Sequence, residues 1–260
     1  MHRFIPASIP RAALVTGGAR RIGRAIGLAL AEAGFAVAVH ANRSAAEAEA
    51  TAAEIRALGV AAAVLRADLG HEEEVARLLP DATAALGPIG VLVNNASVFE
   101  RDEWHDASRA SWDLHMEANL RAPFVLAQAF ARARADGAEG VVVNLLDERV
   151  WSLTPHFVSY TVAKSGLWTL TRTLALALAP HIRVVGIGPG PTVPSPRQSA
   201  EQFARQAASV PLGHGTTPEE IGRAVIALLA LPAMTGQMLA LDGGQHLQWS
   251  PAGSLPPIEE

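Results

Sequence analysis

Three residues have side chains suited to moving a proton together. Asp147, Tyr160 and Lys164 follow one another as D…YTVAK, with the Asp thirteen positions before the tyrosine and the Lys four after it. On one helix, residues four apart share a face. A lysine ammonium beside a phenol stabilises the phenolate and lowers its pKa, which makes the tyrosine a usable proton donor near neutral pH. Asp147 stands where it can orient the pair. Y-x-x-x-K alone is a common surface pattern, so its weight depends on what lies elsewhere in the chain.

That support comes from the N-terminal segment. A short apolar run, Ala12–Thr16, leads into Gly17-Gly18-Ala19-Arg20-Arg21-Ile22-Gly23 and then a helical pattern. Glycines after a first strand permit a tight turn and let a pyrophosphate approach the N–H groups of a helix N-terminus. Such clusters are also often plain turns. Arg21 occupies a position where this type of motif usually has a glycine. At the end of the second apolar run, where NAD-binding proteins commonly place an acidic residue, the chain reads His40-Ala41-Asn42-Arg43-Ser44. No carboxylate is there to repel a 2′-phosphate, and Arg21, Arg43 and Ser44 offer charge-assisted hydrogen bonds to one. NADPH is therefore the expected cofactor. Asp68, followed by Leu69, suits contact with the adenine amino group, or equally a turn or cap role. Asn94-Asn95-Ala96-Ser97 offers polar groups to border the nicotinamide ribose.

Elements must hold these residues at one end of a sheet. Near-continuous apolar runs at Ala12–Thr16, Ala36–His40, Ala61–Ala67, Val91–Asn94, Val141–Leu145, Val184–Ile187 and Met238–Leu241 read as buried parallel strands. Between them, amphipathic stretches at Ile22–Ala33, Ala45–Leu58, Glu72–Leu86, Ser111–Arg134, Phe157–Ala179 and Pro218–Leu229 read as helices. The alternation predicts an α/β fold, a single Rossmann-type doubly wound parallel sheet with helices on both faces. Residues 1–11 read as an N-terminal extension, 12–246 as the domain and 247–260 as a Pro/Gly-rich acidic tail. Gly188–Thr217, proline-rich and without a clear strand, is expected to be a mobile flap over the site.

Composition narrows the function classes. The 260 residues suit one domain of this kind, half are hydrophobic, and the formal charge of −4 argues against nucleic acid as the main partner. Cysteine is absent, which removes disulfides and thiolate nucleophiles and fits a reducing, cytoplasmic setting. The apolar stretches carry charges, so no membrane span is expected. The nine histidines lack metal-like spacing. The serines of Ser195–Ser209 lack a nucleophile elbow.

From about Ala12 to His246 the chain resembles the classical short-chain dehydrogenases/reductases. The resemblance rests on TGGARRIG, the D-L at Asp68, NNAS at Asn94, Asn119 in the long helix, YTVAK at Tyr160, GPGP at Gly188 and LDGG at Leu241. It implies that Tyr160 donates the proton, that Lys164 binds the nicotinamide ribose, and that Asn119 holds a water of the proton relay. It also puts Pro189 and Gly190 beside the cofactor, together with Gly17, Arg20, Ile22 and Gly23. One position departs: the family usually has a serine where Asp147 stands. Arg21 in the glycine loop, His40-x-Asn42-Arg43-Ser44, Phe99 shortly after NNAS, and Leu146-Asp147 together resemble the pteridine reductase branch, in which that Asp is normal.

The chemistry agrees with that branch. Pterin reduction delivers hydride to the carbon of a C=N bond and a proton to its nitrogen, so there is no carbonyl oxygen for a serine to hold. Phe99 is suited to stacking on a flat ring, and Ser97 to bonding the pterin or a cofactor phosphate. Trp151, His156 and Phe157 fall between Asp147 and Tyr160 without an assigned role. A carbonyl or 3-oxoacyl reductase is the alternative within the class. A non-catalytic NADP(H) sensor is a third reading, which the retained Asn119, Tyr160 and Lys164 disfavour. The resemblance further implies a homotetramer assembled through Ser111–Arg134 and Phe157–Ala179.

Overall fold

A computed structural model of the chain describes residues 4–247. The expected C-terminal tail lies outside the described residues apart from Leu247. Seven strands, β1 Ala12–Val15, β2 Ala36–Ala41, β3 Ala62–Arg66, β4 Val91–Asn94, β5 Gly140–Leu145, β6 Ile182–Pro189 and β7 Met238–Leu241, form one sheet. Their order is β3-β2-β1-β4-β5-β6-β7, and every pairing is parallel. This is the doubly wound α/β sheet expected from the alternation of apolar runs. The strand order reverses between β1 and β4, and a crevice opens at the carboxyl ends of the strands at such a switch point.

Alternation within each strand divides the core in two. Val15, Val39 and Val93 pack with Ile26 and Leu30 of α1 (Arg21–Glu32), Ile55 of α2 (Ala45–Ala57) and Val225 of α8 (Pro218–Leu229). On the other face, Leu14, Leu92 and Val142 pack with Leu78 of α3 (Glu72–Leu86), Phe130 of α5 (Ala122–Ala133) and Ala175 of α6 (Val158–Ala177). Both faces are covered, which is why the strands carry Val, Leu and Ala at successive positions instead of alternating with polar residues.

Two elements differ from the expectation in ways that concern the site. The stretch read as one helix over Ser111–Arg134 begins at Arg109 and has three parts: α4 (Arg109–Met116), a π-helical turn over Glu117–Arg121, and α5. Wider turns of this kind inside α-helices frequently mark functional positions, and this one contains Asn119. The segment expected to be a mobile flap without a clear strand contains α7 (Ala200–Ala208). Ser199 and Gln202 start that helix with a reciprocal capping box, each side chain accepting from the other's backbone N–H. None of its residues is fully buried; Phe203 and Gln206 turn toward the cleft.

Candidate active site

Asp147, Tyr160 and Lys164 come together. Tyr160 and Lys164 lie one turn apart in the first half of α6 and are both buried. Asp147 follows β5 and caps a short 3₁₀ turn by accepting from the Arg149 N–H at 2.9 Å. Its other oxygen, Oδ2, accepts from the Tyr160 hydroxyl at 2.8 Å. Lys164 Nζ donates to the Leu145 carbonyl at 2.7 Å and stands 5.8 Å from the centre of the tyrosine ring.

The electrostatics correct the sequence-based reading of the tyrosine. Lys164 was expected to lower the phenol pKa, yet in this geometry it is raised well above its ordinary value. Burial is the main cause. The Asp147 charge and its hydrogen bond add to it, Arg149 opposes it, and Glu148 contributes in the same sense as Asp147. The Lys164 ammonium points at the Leu145 carbonyl, whereas the Asp147 carboxylate takes the phenolic hydrogen directly. Lys164 itself is lowered from 10.5 to about 8, again by burial, with the Asp147 charge acting against the fall.

A cleft of about 270 Å³ opens beside this group. Ser97, Phe99, Asp147, Tyr160, Pro189 and Gly190 border it, and the flap supplies Gln198, Phe203 and Gln206. Phe99 stacks on Phe157 with ring centres 4.4 Å apart and an 8° tilt, and meets Tyr160 edge-on at 4.7 Å. The flat apolar wall expected at Phe99 is therefore a two-ring unit. Phe157 had no assigned role in the sequence; it occupies a left-handed backbone conformation at the start of α6. Arg149 reinforces the unit, its guanidinium lying 5.5 Å from the Phe99 ring centre and 4.9 Å from that of Phe157. Neither Phe157 nor Arg149 belongs to a spacing motif, and only the folded chain brings them to Phe99. Trp151 and His156 point elsewhere, Trp151 toward Trp168 and His246 and His156 toward Glu103.

Asn119 is completely buried and clamps Val98, accepting from its N–H and donating to its carbonyl, both at 2.8 Å. The π turn thereby fixes the chain between Ser97 and Phe99.

A second cleft continues from the first across the β1–α1 turn, bordered by Gly17, Arg20, Asn42, Arg43, Ser44 and Asp68, with Ile22, Leu69, Asn95, Ala96 and Ser97 completing it. Gly17 has φ +61°, and a Cβ on Gly23 would lie 2.1 Å from the Gly17 carbonyl oxygen. The turn is thus tight enough to require glycine at both ends. Asn95 ties it to β4 by donating from Nδ2 to the Thr16 and Gly17 carbonyls at 2.8 and 3.1 Å. Helix α1 starts without a side-chain cap and without an acidic residue in its first turn, which leaves its N-terminus suited to an anion.

Three expected cofactor residues take more specific places. The His40 ring is buried. Its Nδ1 accepts from the Gly17 N–H at 3.1 Å and its Nε2 faces the Ala67 carbonyl at 3.1 Å, so it braces the turn. Asp68 Oδ1 accepts from the Gly70 N–H at 2.9 Å; that bond, with weaker help from Asn42 and Arg43, outweighs partial burial and holds its carboxyl below the usual range. Arg21 adopts φ +53°, the left-handed region natural to the glycine it replaces. Its guanidinium donates to the Pro194 carbonyl at 2.8 Å, linking the glycine turn to the flap. Arg43 and Ser44, the other residues expected to meet a 2′-phosphate, border the second cleft.

Residues 17–246 match a family model described as enoyl-(acyl carrier protein) reductase. The chain belongs to the short-chain dehydrogenase/reductase family and is an oxidoreductase of that class. Among curated relatives, the 3-oxoacyl-[acyl-carrier-protein] reductase of Staphylococcus epidermidis is 30% identical over 245 residues, covering 91% of this chain and 99% of its own. Among solved structures, the FolM alternative dihydrofolate reductase 1 of Brucella canis, complexed with NADP, is 47% identical with a TM-score of 0.92, covering 96% of this chain and all of its own. The corresponding Brucella suis protein, also with NADP, is 48% identical with a TM-score of 0.91, over 95% of this chain and 99% of its own.

Proposed function

We propose that the protein is an NADPH-dependent pterin reductase that converts a 7,8-dihydropterin to its 5,6,7,8-tetrahydro form, with dihydrofolate as a poorer substrate. The observation that carries this reading is the Asp147–Tyr160 hydrogen bond beside the Phe99 wall. The glycine turn, the open N-terminus of α1 and the Arg43–Ser44 pair fit NADPH, which supplies the hydride for C6 when bound. The similar Brucella proteins, named as alternative dihydrofolate reductases and complexed with NADP, support the same reading.

Phe99, backed by the buried Phe157, presents an aromatic side chain to the cleft on which a bicyclic ring can pack. Tyr160, kept protonated by burial and by Asp147, carries the proton that N5 takes as C6 is reduced. Asp147 orients the phenol before transfer. Charged Lys164 stabilises the phenolate left behind, and its Leu145 bond holds the ammonium in place. Reduction of one C=N bond thus consumes one hydride and one proton.

The 3-oxoacyl reductase relatives favour a carbonyl substrate as the second reading. Against it, a carboxylate stands where a developing alkoxide needs a hydrogen-bond donor. NADPH oxidation by the purified protein with dihydrobiopterin, dihydromonapterin, dihydrofolate and small carbonyls, beside Y160F and D147S, tests the choice. Tyrosine-dependent dihydropterin turnover that falls at least tenfold in D147S is the expected result. Carbonyl turnover preserved or raised in D147S, with silence on pterins, overturns it.

The reading includes a homotetramer through the α4–α5 and α6 faces, supported by the exposed Trp112, Leu114 and Leu176; sedimentation as a monomer at micromolar concentration refutes this. A cytoplasmic setting is supported by the lack of cysteine. Separately, no described helix is long and apolar enough to cross a membrane.

A further inference from the structure

Helix α6 carries the proton donor in its first turn, yet its own N-cap residue, Phe157, makes no side-chain cap hydrogen bond. The cap comes from a loop more than fifty residues earlier in the chain. The Asp102 carbonyl accepts from the Val158 N–H at 3.3 Å, and Asp102 Oδ1 accepts from the Ser159 N–H at 3.1 Å. Asp102 Oδ2 takes the Ser159 hydroxyl at 2.5 Å and the Ser111 hydroxyl at 3.1 Å. These bonds are dry: Asp102 is 3% exposed, and Ser159 and His115 are fully buried.

His115 completes the group. Its Nε2 accepts from the Glu100 N–H at 3.1 Å, so the ring proton sits on Nδ1, which faces the Ser159 hydroxyl at 2.7 Å and the Ser111 carbonyl at 2.9 Å. Ser159 consequently accepts from His115 and donates to Asp102. The capping loop is also the substrate wall, since Phe99 lies three residues before Asp102. From the flap, Arg197 donates to the Phe99 carbonyl and to Glu100, both at 2.9 Å.

We propose that Asp102, acting through Ser159 and supported by His115, is a positioning residue that registers the Tyr160-bearing end of α6 against the Phe99 wall. The proposal rests on Tyr160 being the proton donor. Without the Asp102 carboxylate the Ser159 N–H and the Ser159 hydroxyl lose their acceptor, and the first turn of α6 is held to this loop only by the Val158 N–H on the backbone carbonyl of residue 102. Fraying there admits water to the phenol and loosens its bond to Asp147, while the glycine turn and the Asn42–Ser44 and Asp68 side of the cofactor cleft, which Asp102 does not touch, keep their places. Burial works to raise the Asp102 carboxyl, but the Ser159 and Ser111 hydrogen bonds outweigh it and hold the group below its ordinary value, as suits an acceptor of several donors.

Tyr160 is the single tyrosine of the chain, so tyrosine labelled at ¹³Cζ gives one resonance that reports its ionisation directly. The full-length protein saturated with NADP⁺ would be titrated as wild type, D102A, D102N, S159A and, as a distant destabilised control, L79A in α3. The wild-type resonance is expected to remain that of the neutral phenol through the ordinary range of phenol titration. D102A is expected to titrate below wild type, toward the ordinary phenol range, with kcat down at least tenfold and KM for NADPH changed less than threefold. D102N keeps an oxygen for the Ser159 N–H and should retain most of both properties, with S159A intermediate. A D102A resonance that superimposes on wild type, with stability reduced as in L79A, overturns the proposal. If D102A fails to fold, a D102N and S159A pair indistinguishable from wild type in titration and kcat overturns it equally. Absence of dihydropterin turnover in the wild type would refute the functional reading alone, because the resonance still decides whether Asp102 holds the tyrosine.

Discussion

The proposed chemistry requires Lys164 as a cation in a place that disfavours cations, and the conflict has a measurable pH signature. The residue is 2% exposed, and burial lowers it from 10.5 to about 8. A group whose folded pKa lies below its unfolded value binds fewer protons when folded. For a lysine this means that holding the ammonium costs stability below pH 8, and the cost is relieved as pH rises from about 8 toward 10.5. The full difference corresponds to roughly 3 kcal/mol, of which about 2.5 kcal/mol is recovered between pH 7 and pH 10. K164M keeps the length of the side chain and removes the charge. It leaves the Leu145 carbonyl without its donor, at a cost of about 1–3 kcal/mol that does not depend on pH. Urea unfolding of both proteins without cofactor, at pH 7 and pH 10, should therefore show wild type gaining about 2.5 kcal/mol relative to K164M. Turnover moves in the opposite direction. About nine-tenths of Lys164 is charged at pH 7 and about one-tenth at pH 9, so kcat should decline along an alkaline limb centred near 8. Stability differences that stay parallel from pH 7 to pH 10 would refute the assignment of that value to a buried, desolvated lysine.

Two further substitutions probe the cofactor turn and its link to the flap. R21G removes a left-handed non-glycine residue, whose strain is about 1 kcal/mol, and also removes the hydrogen bond to the Pro194 carbonyl. Urea melts should show stability unchanged or slightly raised, while steady-state kinetics show a several-fold higher KM for the pterin. R43A removes the cation that the proposed reading assigns to the 2′-phosphate. The preference for NADPH over NADH, measured as a ratio of kcat/KM values, should fall at least tenfold with NADH turnover little changed.

The sheet was legible in the sequence because strands covered on both faces must be apolar at successive positions, and Val91–Asn94 and Met238–Leu241 keep the boundaries read from composition. Asp147, Tyr160 and Lys164 were legible because two lie at helical spacing and the third follows an adjacent strand. Less legible was anything that depends on which groups win a competition for one donor. Lys164 near a phenol suggests a lowered phenol pKa, and only the fold shows its ammonium given to Leu145 and the phenolic hydrogen given to Asp147. The π turn at Asn119 is similarly hidden, because Glu117–Arg121 has nothing in its composition that breaks a helix; its visible consequence is the two-way clamp on Val98. Phe157 and Asp102 show the same limit in another form. Each acts on α6 through partners distant in sequence, Phe157 by stacking on Phe99 and Asp102 by capping the helix that Phe157 opens. A tyrosine and a lysine four residues apart can be found by spacing, whereas the groups that set where their helix begins become visible only when the chain has closed around them.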